Sequence, residues 1–541
     1  MPKDKDRYMY DVIIVGAGLS GLHAAQLLVA EGLHVQVIEA REKTGGRTET
    51  IRKENIGYAE GGAAYVSRKH VQVLKLAEEL GIMTYCVGGS NLKTTLQLEK
   101  DRYVFKGDIP SSYNPVELLD LNHMIRSLDA LSLEVPVGRP WDHPCADYLD
   151  SVSVSEYLEK NTWTKFAKLL GEIAAKSIYI TEPGDISMLF FLHTIHMCGG
   201  LVHLTSTKDG AQEMKFVGGS GLICEKLTAK LNISTYYYSR DSRNDLSLIS
   251  SLDRILQERQ VTAIRQTSEA VEVHCQQGDI IECRRVILAI PPTAVDKIQF
   301  DPPLPSGVKN VVSIVPKSSH TIKTFMYYSA PFWRDHDLNG QLISQSGPVT
   351  YTIDDTKPDG TAPCIMGFID GFQADECASL DLEERKTLIC KQYAAQFGLE
   401  QFLSPVYYIE KDWHEEEWKR LTKGMCVYSL PPGVLTKCKR LHGDSFNKVH
   451  FAGTETALTF QGYMEGAVRS AKRAVLEVLN AEGKMPSNDA LKKGEEVESI
   501  PYLQPNFLER NLPSVPQFIL VLFTLIGIAV AATLGFFVHG S

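Results

Sequence analysis

Residues 11–47 of the 541-residue chain read DVIIVGAGLSGLHAAQLLVAEGLHVQVIEAREKTGGR. The β-branched run at 12–15 predicts a strand, the small and apolar residues after it predict a helix, and residues 35–38 predict a second strand. Three glycines with the spacing GxGxxG join the first strand to the helix, namely Gly16, Gly18 and Gly21. An acidic residue, Glu39, ends the second strand. This order predicts a dinucleotide-binding βαβ unit.

Each glycine has its own function in such a unit. Gly16 allows the tight turn, Gly18 lets the backbone approach a pyrophosphate, and Gly21 lets the helix pack closely on the strand. The first turn of the helix presents unpaired N–H groups and a positive dipole end to the phosphates. Glu39 lies about 20 residues beyond the motif, where a carboxylate accepts hydrogen bonds from ribose hydroxyls.

The residues after Glu39 indicate a flavin. Arg41 and Arg47 supply two cations, and Gly45 and Gly46 form a second glycine pair. Guanidinium groups form paired hydrogen bonds to phosphates, and a tightly held dinucleotide needs more of these contacts than one that exchanges. The arrangement resembles the glycine doublet of two-dinucleotide-binding flavoproteins, which implies that Arg41, Gly46 and Arg47 bind FAD.

The resemblance extends to the far end of the chain. Residues 451–456, FAGTET, and 462–468, GYMEGAV, are similar to the C-terminal flavin-contact segment of the flavin amine oxidases. Between the two ends the chain is similar to the monoamine oxidases at CGG (198–200), QEMKFVGGSG (212–221), AIPPT (289–293), PFW (331–333), DDTKP (354–358) and PPG (431–433). The chain is therefore identified as a member of the flavin amine oxidase family.

The resemblance implies an α/β fold in which a Rossmann-like FAD-binding domain is interleaved with a substrate domain of mixed sheet and helices. The glycine motif is N-terminal but the second flavin segment follows residue 450, so the chain leaves the cofactor domain and returns to it. We expect residues 1–85, 215–297 and 423–485 in the FAD-binding domain, and residues 86–214 and 298–422 in the substrate domain. Residues 221–232 predict a helix, and residues 261–273 predict one alternating strand.

The chain ends in an apolar segment. Residues 518–538, FILVLFTLIGIAVAATLGFFV, carry no charge, and about 20 apolar residues span the ~30 Å hydrocarbon core of a bilayer. We expect a transmembrane tail anchor at 516–539, joined to the body by a polar connector at 486–515. The catalytic body then faces the cytosol, and the resemblance implies the mitochondrial outer membrane.

Composition excludes several other classes of protein. The net charge of −10 and the lack of a basic cluster argue against nucleic acid as a partner. The 11 cysteines lack CxxC motifs and zinc-like spacing to histidine, so we expect no metal site. The charged N-terminus has no apolar core and is not a secretory signal. Monomer and homodimer both remain open.

The resemblance implies oxidation of a primary amine at FAD, with O₂ as second substrate and aldehyde, ammonia and H₂O₂ as products. Lys323, in HTIKTFMYY, is similar to the family lysine that reaches flavin N5 through a water, and we expect it to assist O₂ reduction. Tyr463, in GYMEGAV, is similar to one of two aromatic residues that flank the amine. We expect arylalkylamines, bound as free bases in an apolar site.

The match to the family is weaker around Cys426. The family attaches FAD through a cysteine shortly before the Pro-Pro-Gly turn, with the second aromatic wall directly after it. Here Cys426 is one residue closer to the turn, and Val427 follows it. Two alignments stay open: Cys426 forms the thioether, which is our expectation, or it occupies the second wall and FAD is bound without a covalent bond. The segment from Trp413, expected beside the flavin, to Gly424 is longer than in the family.

The resemblance assigns further residues by their position. Those expected at the cofactor are Val261, whose backbone meets the adenine, and Gly453, Thr454, Glu455 and Met464 near the C-terminus. Those expected in the substrate pocket are Tyr65, Leu204, Thr205, Gln212, Tyr351 and Phe368. Among them Thr205 departs from the aliphatic pair that gates the family's cavity.

Three alternatives to an arylalkylamine oxidase remain. A polyamine or amino-acid oxidase of the same fold would need carboxylates or an arginine in the pocket, and none stands out at the matched positions. A flavin-bound membrane protein with impaired catalysis is favoured only by the altered aromatic wall. A nicotinamide dehydrogenase leaves the C-terminal flavin segment unexplained.

Overall fold

The computed structural model describes residues 9–87, 92–107, 109–110, 114–233, 238–240, 246–248, 253–314, 320–438, 445–485, 502 and 507–539. Its strands, β1 to β22, are Tyr10–Val15, Val35–Ile38, Thr50–Lys53, Gly57–Glu60, Tyr65–Val66, Thr84–Cys86, Lys93–Leu98, Asp101–Phe105, Met214–Phe216, Tyr238–Arg240, Leu246–Leu248, Ile255–Leu256, Val261–Gln266, Val271–Cys275, Ile280–Leu288, Gln299–Asp301, Thr321–Tyr327, Leu338–Ser344, Tyr351–Asp354, Cys364–Asp370, Tyr407–Asp412 and Val449–Phe451.

The α-helices of the same residues, α1 to α18, are Leu19–Ala30, Val71–Glu79, Pro115–Glu134, Ala146–Ser151, Val154–Asn161, Lys165–Tyr179, Met188–Cys198, Leu201–Thr205, Gly221–Ile233, Pro292–Val295, Ser306–Val312, Phe372–Ala378, Leu382–Phe397, Glu416–Thr422, Leu435–Cys438, Met464–Ala481, Phe507–Asn511 and Val515–His539. Short 3₁₀ helices lie at Pro140–Asp142, Pro183–Asp185, Arg334–His336, Glu400–Leu403 and Thr454–Thr456.

The N-terminal βαβ unit forms as the sequence predicts. Strands β1 and β2 are parallel, and α1 connects them. Gly16 has φ +103°, and a Cβ there would lie 2.7 Å from the carbonyl oxygen of Ala289. A Cβ on Gly21 would lie 1.9 Å from the carbonyl oxygen of Gly16. Only glycine fits at these two positions, which explains the close packing of helix on strand.

The first large sheet collects strands from distant parts of the chain. Its order is β12-β2-β1-β15-β14-β13-β16, and β22 pairs in parallel with β15. The prediction of one strand over residues 261–273 is wrong, because β13 and β14 are antiparallel partners joined by a turn. That turn is closed by the bond from Thr267 N to Ala270 O at 2.9 Å. The alternation of apolar and polar residues continues through this tight hairpin, so the pattern did not indicate the turn.

The second large sheet has the order β21-β17-β20-β19-β18-β7-β8. Every residue of β17, which lies between β21 and β20, is buried. The register of β17 with β20 sets Lys323 opposite Phe368, and its register with β21 sets Lys323 opposite Lys411. A lysine within a buried strand needs a specific environment, which makes Lys323 a candidate functional residue.

The chain ends in the helix α18, Val515–His539. Its side chains are described up to Ala531, so residues 532–538 of the predicted anchor lie outside the described side chains. Among the residues that the structure describes, no helix is both long and apolar enough to cross a membrane.

Candidate functional site

One cavity is lined both by residues of the glycine motif and by residues of β17 in the second large sheet. The structure brings many of the sequence-predicted residues into its lining, namely Gly16, Gly18, Glu39, Arg41, Gly46, Arg47, Tyr65, Val261, Lys323, Phe368, Trp413, Cys426, Gly453, Thr454, Tyr463 and Met464. The cavity thus joins the predicted dinucleotide residues to the predicted reaction residues.

The remaining predicted residues do not line this cavity. Gly21 and Glu455 lie behind it, where Gly21 packs on the motif and Glu455 pairs with Arg47. The four others belong to the predicted substrate pocket, namely Leu204, Thr205, Gln212 and Tyr351. Leu204 is fully buried in a hydrophobic core, and Thr205 is exposed at the end of α8. Side-chain packing keeps these four residues out of the lining. A match to the family by sequence position does not predict such packing.

Glu39 is tied to the glycine turn. Its carboxylate accepts from the backbone N–H of Ala17 at 2.7 Å and from that of Arg41 at 2.9 Å. Burial raises the pKa of Glu39, and these two hydrogen bonds oppose that shift. The carboxylate is therefore fixed at the edge of the cavity by the same backbone that forms the turn.

The space beside Gly18 fits a dinucleotide. A Cβ on Gly18 would meet no atom within 4 Å, and its φ of −77° suits any residue. Backbone strain therefore does not require glycine at this position. The cavity requires it instead, because Gly18 lines the cavity and a side chain there would occupy it. A pyrophosphate can bind in this open space at the N-terminus of α1, which a side chain at position 18 would fill.

The side chain of Arg47 connects the glycine doublet to the C-terminal segment by hydrogen bonds. Its Nη1 donates to Glu455 Oε1 at 2.6 Å and to the carbonyl oxygen of Cys426 at 3.3 Å. Glu455 is almost completely buried, so this ion pair is held away from water. Arg47 thereby fixes the backbone of Cys426 against the cofactor half of the cavity.

Lys323 also lines the cavity. It is 4% exposed, and its Nζ donates to the carbonyl oxygen of Gly62 at 2.9 Å. The same Nζ lies 5.4 Å from the ring centroid of Phe368. Burial, together with the ammonium of Lys215, lowers the pKa of Lys323 to about 8. This lysine can therefore gain or lose its proton near neutral pH.

The lining also contains three aromatic side chains, Tyr65, Phe368 and Tyr463, of which Phe368 is the one described above beside Lys323. The hydroxyl of Tyr463 lies 3.9 Å from the thiol of Cys198, and the carbonyl oxygen of Tyr463 accepts from Thr454 at 2.7 Å. Tyr463 is the N-cap of α16, so this helix sets the position of its ring. The result is a mostly apolar end suited to a small apolar substrate.

Cys426 lies in the lining with Val427 directly after it. Burial raises the pKa of the Cys426 thiol to about 12, while Arg47 and Lys323 oppose the shift. The preceding residue, Met425, is buried in the hydrophobic core of the helical region instead. Cys426 is thus the sulfur that this segment presents to the cavity.

Sequence reasoning missed several lining residues. Trp418, Leu421 and Thr422 reach the cavity from α14, and Ile180 reaches it from the end of α6. Ile180 has a left-handed backbone with φ +55°, which an isoleucine rarely adopts and which no pattern indicates. The tryptophan and its helical spacing to Leu421 and Thr422 were the signals in the sequence that could have indicated this face.

A buried ion pair also went unpredicted. Lys215 Nζ bonds Asp355 Oδ1, and both side chains are 1% exposed. Lys357 lies 3.5 Å from the other carboxylate oxygen of Asp355, and its Nζ lies 4.1 Å from the ring of Tyr58. The charges of Lys215 and Asp355 both act on the pKa of Lys323, in opposite directions. The pair therefore belongs to the electrostatic surroundings of the site.

Among the described side chains, one group has metal-like spacing, because His320, Asp375 and His414 place ligand atoms within 4.8 Å of one another. Both ring nitrogens of His320 already have partners, Asp375 and Asp412, each at 2.8 Å. The His320 and His414 rings stack at 4.0 Å and 6°, so their lone pairs lie in parallel planes and do not converge on one ion. We assign the group to charge pairing.

Comparison with known proteins agrees with this geometry. The family described as flavin containing amine oxidoreductase matches residues 19–479. The flavin-containing amine oxidase B of Cavia porcellus is 40% identical over 97% of this chain and 97% of its own length, and the A form of Bos taurus is 38% identical over 94% and 92%.

Solved structures give the same result. Cyclohexylamine oxidase from Brevibacterium oxydans IH-35A superposes with a TM-score of 0.79 at 27% identity, covering 88% of this chain and 100% of that one. Wild-type putrescine oxidase bound to putrescine superposes at 0.77 with 26% identity, covering 87% and 99%. The chain belongs to the family of flavin-containing amine oxidoreductases.

Proposed function

We propose that the protein is an FAD-dependent monoamine oxidase that converts primary arylalkylamines and O₂ to aldehyde, ammonia and H₂O₂. The observation that carries this proposal is a single cavity whose lining contains the glycine motif together with Lys323, Tyr463 and Phe368. When bound, FAD would accept two electrons and a hydrogen from the amine and return the electrons to O₂.

Different residues of the cavity would bind different parts of FAD. Residues 1–85, 215–297 and 423–485 would form the FAD-binding domain, and residues 86–214 and 298–422 the substrate domain. Glu39 would hold the ribose, the turn at Gly18 the pyrophosphate, and Arg47 the flavin half. Lys323, on the buried strand β17 of the second sheet, would place its ammonium beside the reacting ring.

The charge pattern of the lining favours a monoamine. Among the described lining residues the sole carboxylate is Glu39, at the dinucleotide end. A polyamine carries a second ammonium that needs a carboxylate, and an amino acid carries a carboxylate that needs a cation. The arginines in the lining, Arg41, Arg47 and Arg259, accompany the dinucleotide residues. An apolar reaction end also favours the amine as its reactive free base.

The experiment that tests the function is anaerobic titration of the purified yellow protein. Benzylamine or tyramine should bleach the flavin absorbance, and readmitted O₂ should restore it with formation of H₂O₂. Putrescine and free amino acids serve as controls for the two related substrate classes. A protein that stays yellow with every amine would instead be a flavin-bound protein with impaired catalysis.

We also propose that FAD is attached through a thioether to Cys426, because this sulfur lies in the cavity lining. Acid-precipitated protein should then keep its colour, and a Cys426 peptide should gain the mass of FAD. Cys426→Ser should release all FAD into the supernatant, because a hydroxyl does not form the thioether. Complete release from the unmodified protein would instead make Cys426 the second wall of the substrate site.

The C-terminal helix is proposed as a tail anchor in the mitochondrial outer membrane, with the body in the cytosol. Its apolar side chains point outward, and Leu520, Phe523 and Ile528 are each more than 60% exposed. The segment before it is tied to the body, since Asn122 and Arg126 of α3 donate to the carbonyl oxygen of Glu509, each at 3.2 Å. A bilayer would bury this surface.

Removal of residues 515–541 should move the protein from the membrane fraction to the soluble fraction while its flavin content stays unchanged. Each buried apolar side chain contributes about 1.5–3 kcal/mol to partitioning, so losing the helix should abolish membrane retention. Flotation of both proteins with liposomes after a high-salt wash measures the effect. Continued flotation of the truncated chain would require a second attachment surface.

A further inference from the structure

The helix α14, Glu416–Thr422, forms part of the cavity wall and is joined by Glu417 to Arg41, which follows the predicted ribose-binding Glu39. Trp418, Leu421 and Thr422 are buried and line the cavity, whereas Lys419 and Arg420 are exposed. Their spacing of three and four residues places the three buried side chains on one face of the helix. The helix therefore presents an apolar, aromatic face to the space assigned to the cofactor.

Side-chain bonds tie α14 and the residue after it to three other segments that contribute to the cavity lining. These bonds join Glu417 to Arg41 at 3.0 Å, Arg420 to Gln260 at 2.7 Å and Lys423 to Asp296 at 2.7 Å. The partners follow β2, precede β13 and end α10, so α14 bridges separate walls of one cavity. In addition, the Thr293 hydroxyl donates to the carbonyl oxygen of Thr422 at 2.6 Å.

Trp418 is the central contact of this helix. It is 4% exposed, and its indole N–H donates to the carbonyl oxygen of Met425 at 3.3 Å. Its ring meets the ring of Trp413 edge-on at 5.1 Å, and the guanidinium of Arg41 lies 5.5 Å from its centroid. Both neighbours also line the cavity. The indole is therefore fixed among residues that face the cofactor.

A helix of this length is not stable by itself in water, since isolated helices need about 12–15 residues even to be marginal. The position of α14 must therefore come from Trp418 and the ties to its neighbours. Loss of these contacts would free the helix from the cavity without disturbing either large sheet. An element held only by such contacts can open and close over a ligand.

We propose that α14 is a clasp over the nucleotide half of FAD, and that Trp418 is a cofactor-binding residue that keeps it closed. FAD would enter and leave when α14 lifts, and the closed clasp would slow its release before or without a covalent bond. The proposal rests on the proposed function in that it takes FAD to be the group in the cavity.

The test measures the rate of FAD release from the purified full chain. Cys426→Ala is the background, because without the sulfur no thioether can retain FAD. Release is followed by ultrafiltration of diluted holoprotein and by the fluorescence of free FAD. Trp418→Ala should release FAD about tenfold faster, the change expected for one lost buried aromatic contact, and Trp418→Phe should stay close to the background.

A second variant leaves the core untouched. Glu417→Gln/Lys423→Gln removes two half-exposed ion pairs of the clasp, and we expect release about threefold faster because exposed pairs contribute little. Its matched control, Glu383→Gln/Lys386→Gln, removes an exposed pair on α13 at 3.1 Å, away from the cavity, and should release FAD at the background rate.

The possible results test the clasp and the proposed function separately. Faster release in Trp418→Ala and in the double variant, with the control unchanged, supports the clasp. Release at the background rate in both variants overturns it while FAD binding itself stands. A Cys426→Ala protein that folds without FAD, when the unmodified protein carries FAD, also overturns the clasp alone, because the clasp should retain FAD without the sulfur. A folded unmodified protein that contains no FAD overturns the proposed function together with the clasp.

Discussion

Gly18→Val should yield a folded protein without flavin. The valine side chain would extend into open space in which the present structure has no atom within 4 Å of the Cβ position. The backbone at Gly18 already has an ordinary φ of −77°, so the substitution adds little strain. The side chain would instead occupy the place where the pyrophosphate approaches the N-terminus of α1.

The measurement is the flavin absorbance per polypeptide after purification, with circular dichroism to confirm the fold. Gly307→Val is the matched control, because a Cβ at Gly307 also meets no atom within 4 Å and this residue lies outside the cavity lining. We expect full flavin in the control and almost none in Gly18→Val. Equal occupancy in the two variants would remove the glycine motif from cofactor binding.

The sequence predicts this end of the cavity well, since its elements are local. The strand, glycine turn, helix and acid occupy one continuous stretch, and each step depends on neighbours a few residues apart. The contacts of Glu39 with the N–H groups of Ala17 and Arg41 were not predicted, although they involve residues of the same continuous stretch. The parallel pairing of β1 with β2 follows from the predicted βαβ unit.

The parts that the sequence did not predict depend on distant pairs. Lys215 and Asp355 form a buried ion pair across 140 positions, and nothing in either neighbourhood indicates the partner. The face of α14 that lines the cavity was hidden for a different reason. The match by position assigned a role to Trp413 but none to Trp418.

The substrate pocket shows the limit of carrying residues over by position. Tyr65 and Phe368 line the cavity, but Tyr351, which pairs with Phe368 across β19 and β20, does not. Its hydroxyl accepts from Gln341 at 2.6 Å. Neighbours on adjacent strands share a face, yet their side chains extend to different depths, and depth is set by packing.

The charge of Lys323 gives the second large effect. Lys323→Met should slow the return of flavin absorbance after mixing with O₂ by of order 100-fold, the usual loss when one charge-stabilising donor is removed. Bleaching by the amine under anaerobic conditions should change far less, because the ammonium acts where negative charge develops during O₂ reduction. Lys323→Arg should recover part of the rate since it keeps a cation.

The same residue predicts a pH dependence. Burial lowers the pKa of Lys323 to about 8, so its ammonium is present below that pH and is lost as the pH rises through it. The oxidative half-reaction of the unmodified protein should therefore fall above about pH 8, and Lys323→Met should show no such fall. Stopped-flow traces across this range measure both, with Lys386→Met on the exposed helix α13 as control. If the unmodified protein and Lys323→Met share one rate and one pH profile, the ammonium has no part in O₂ reduction.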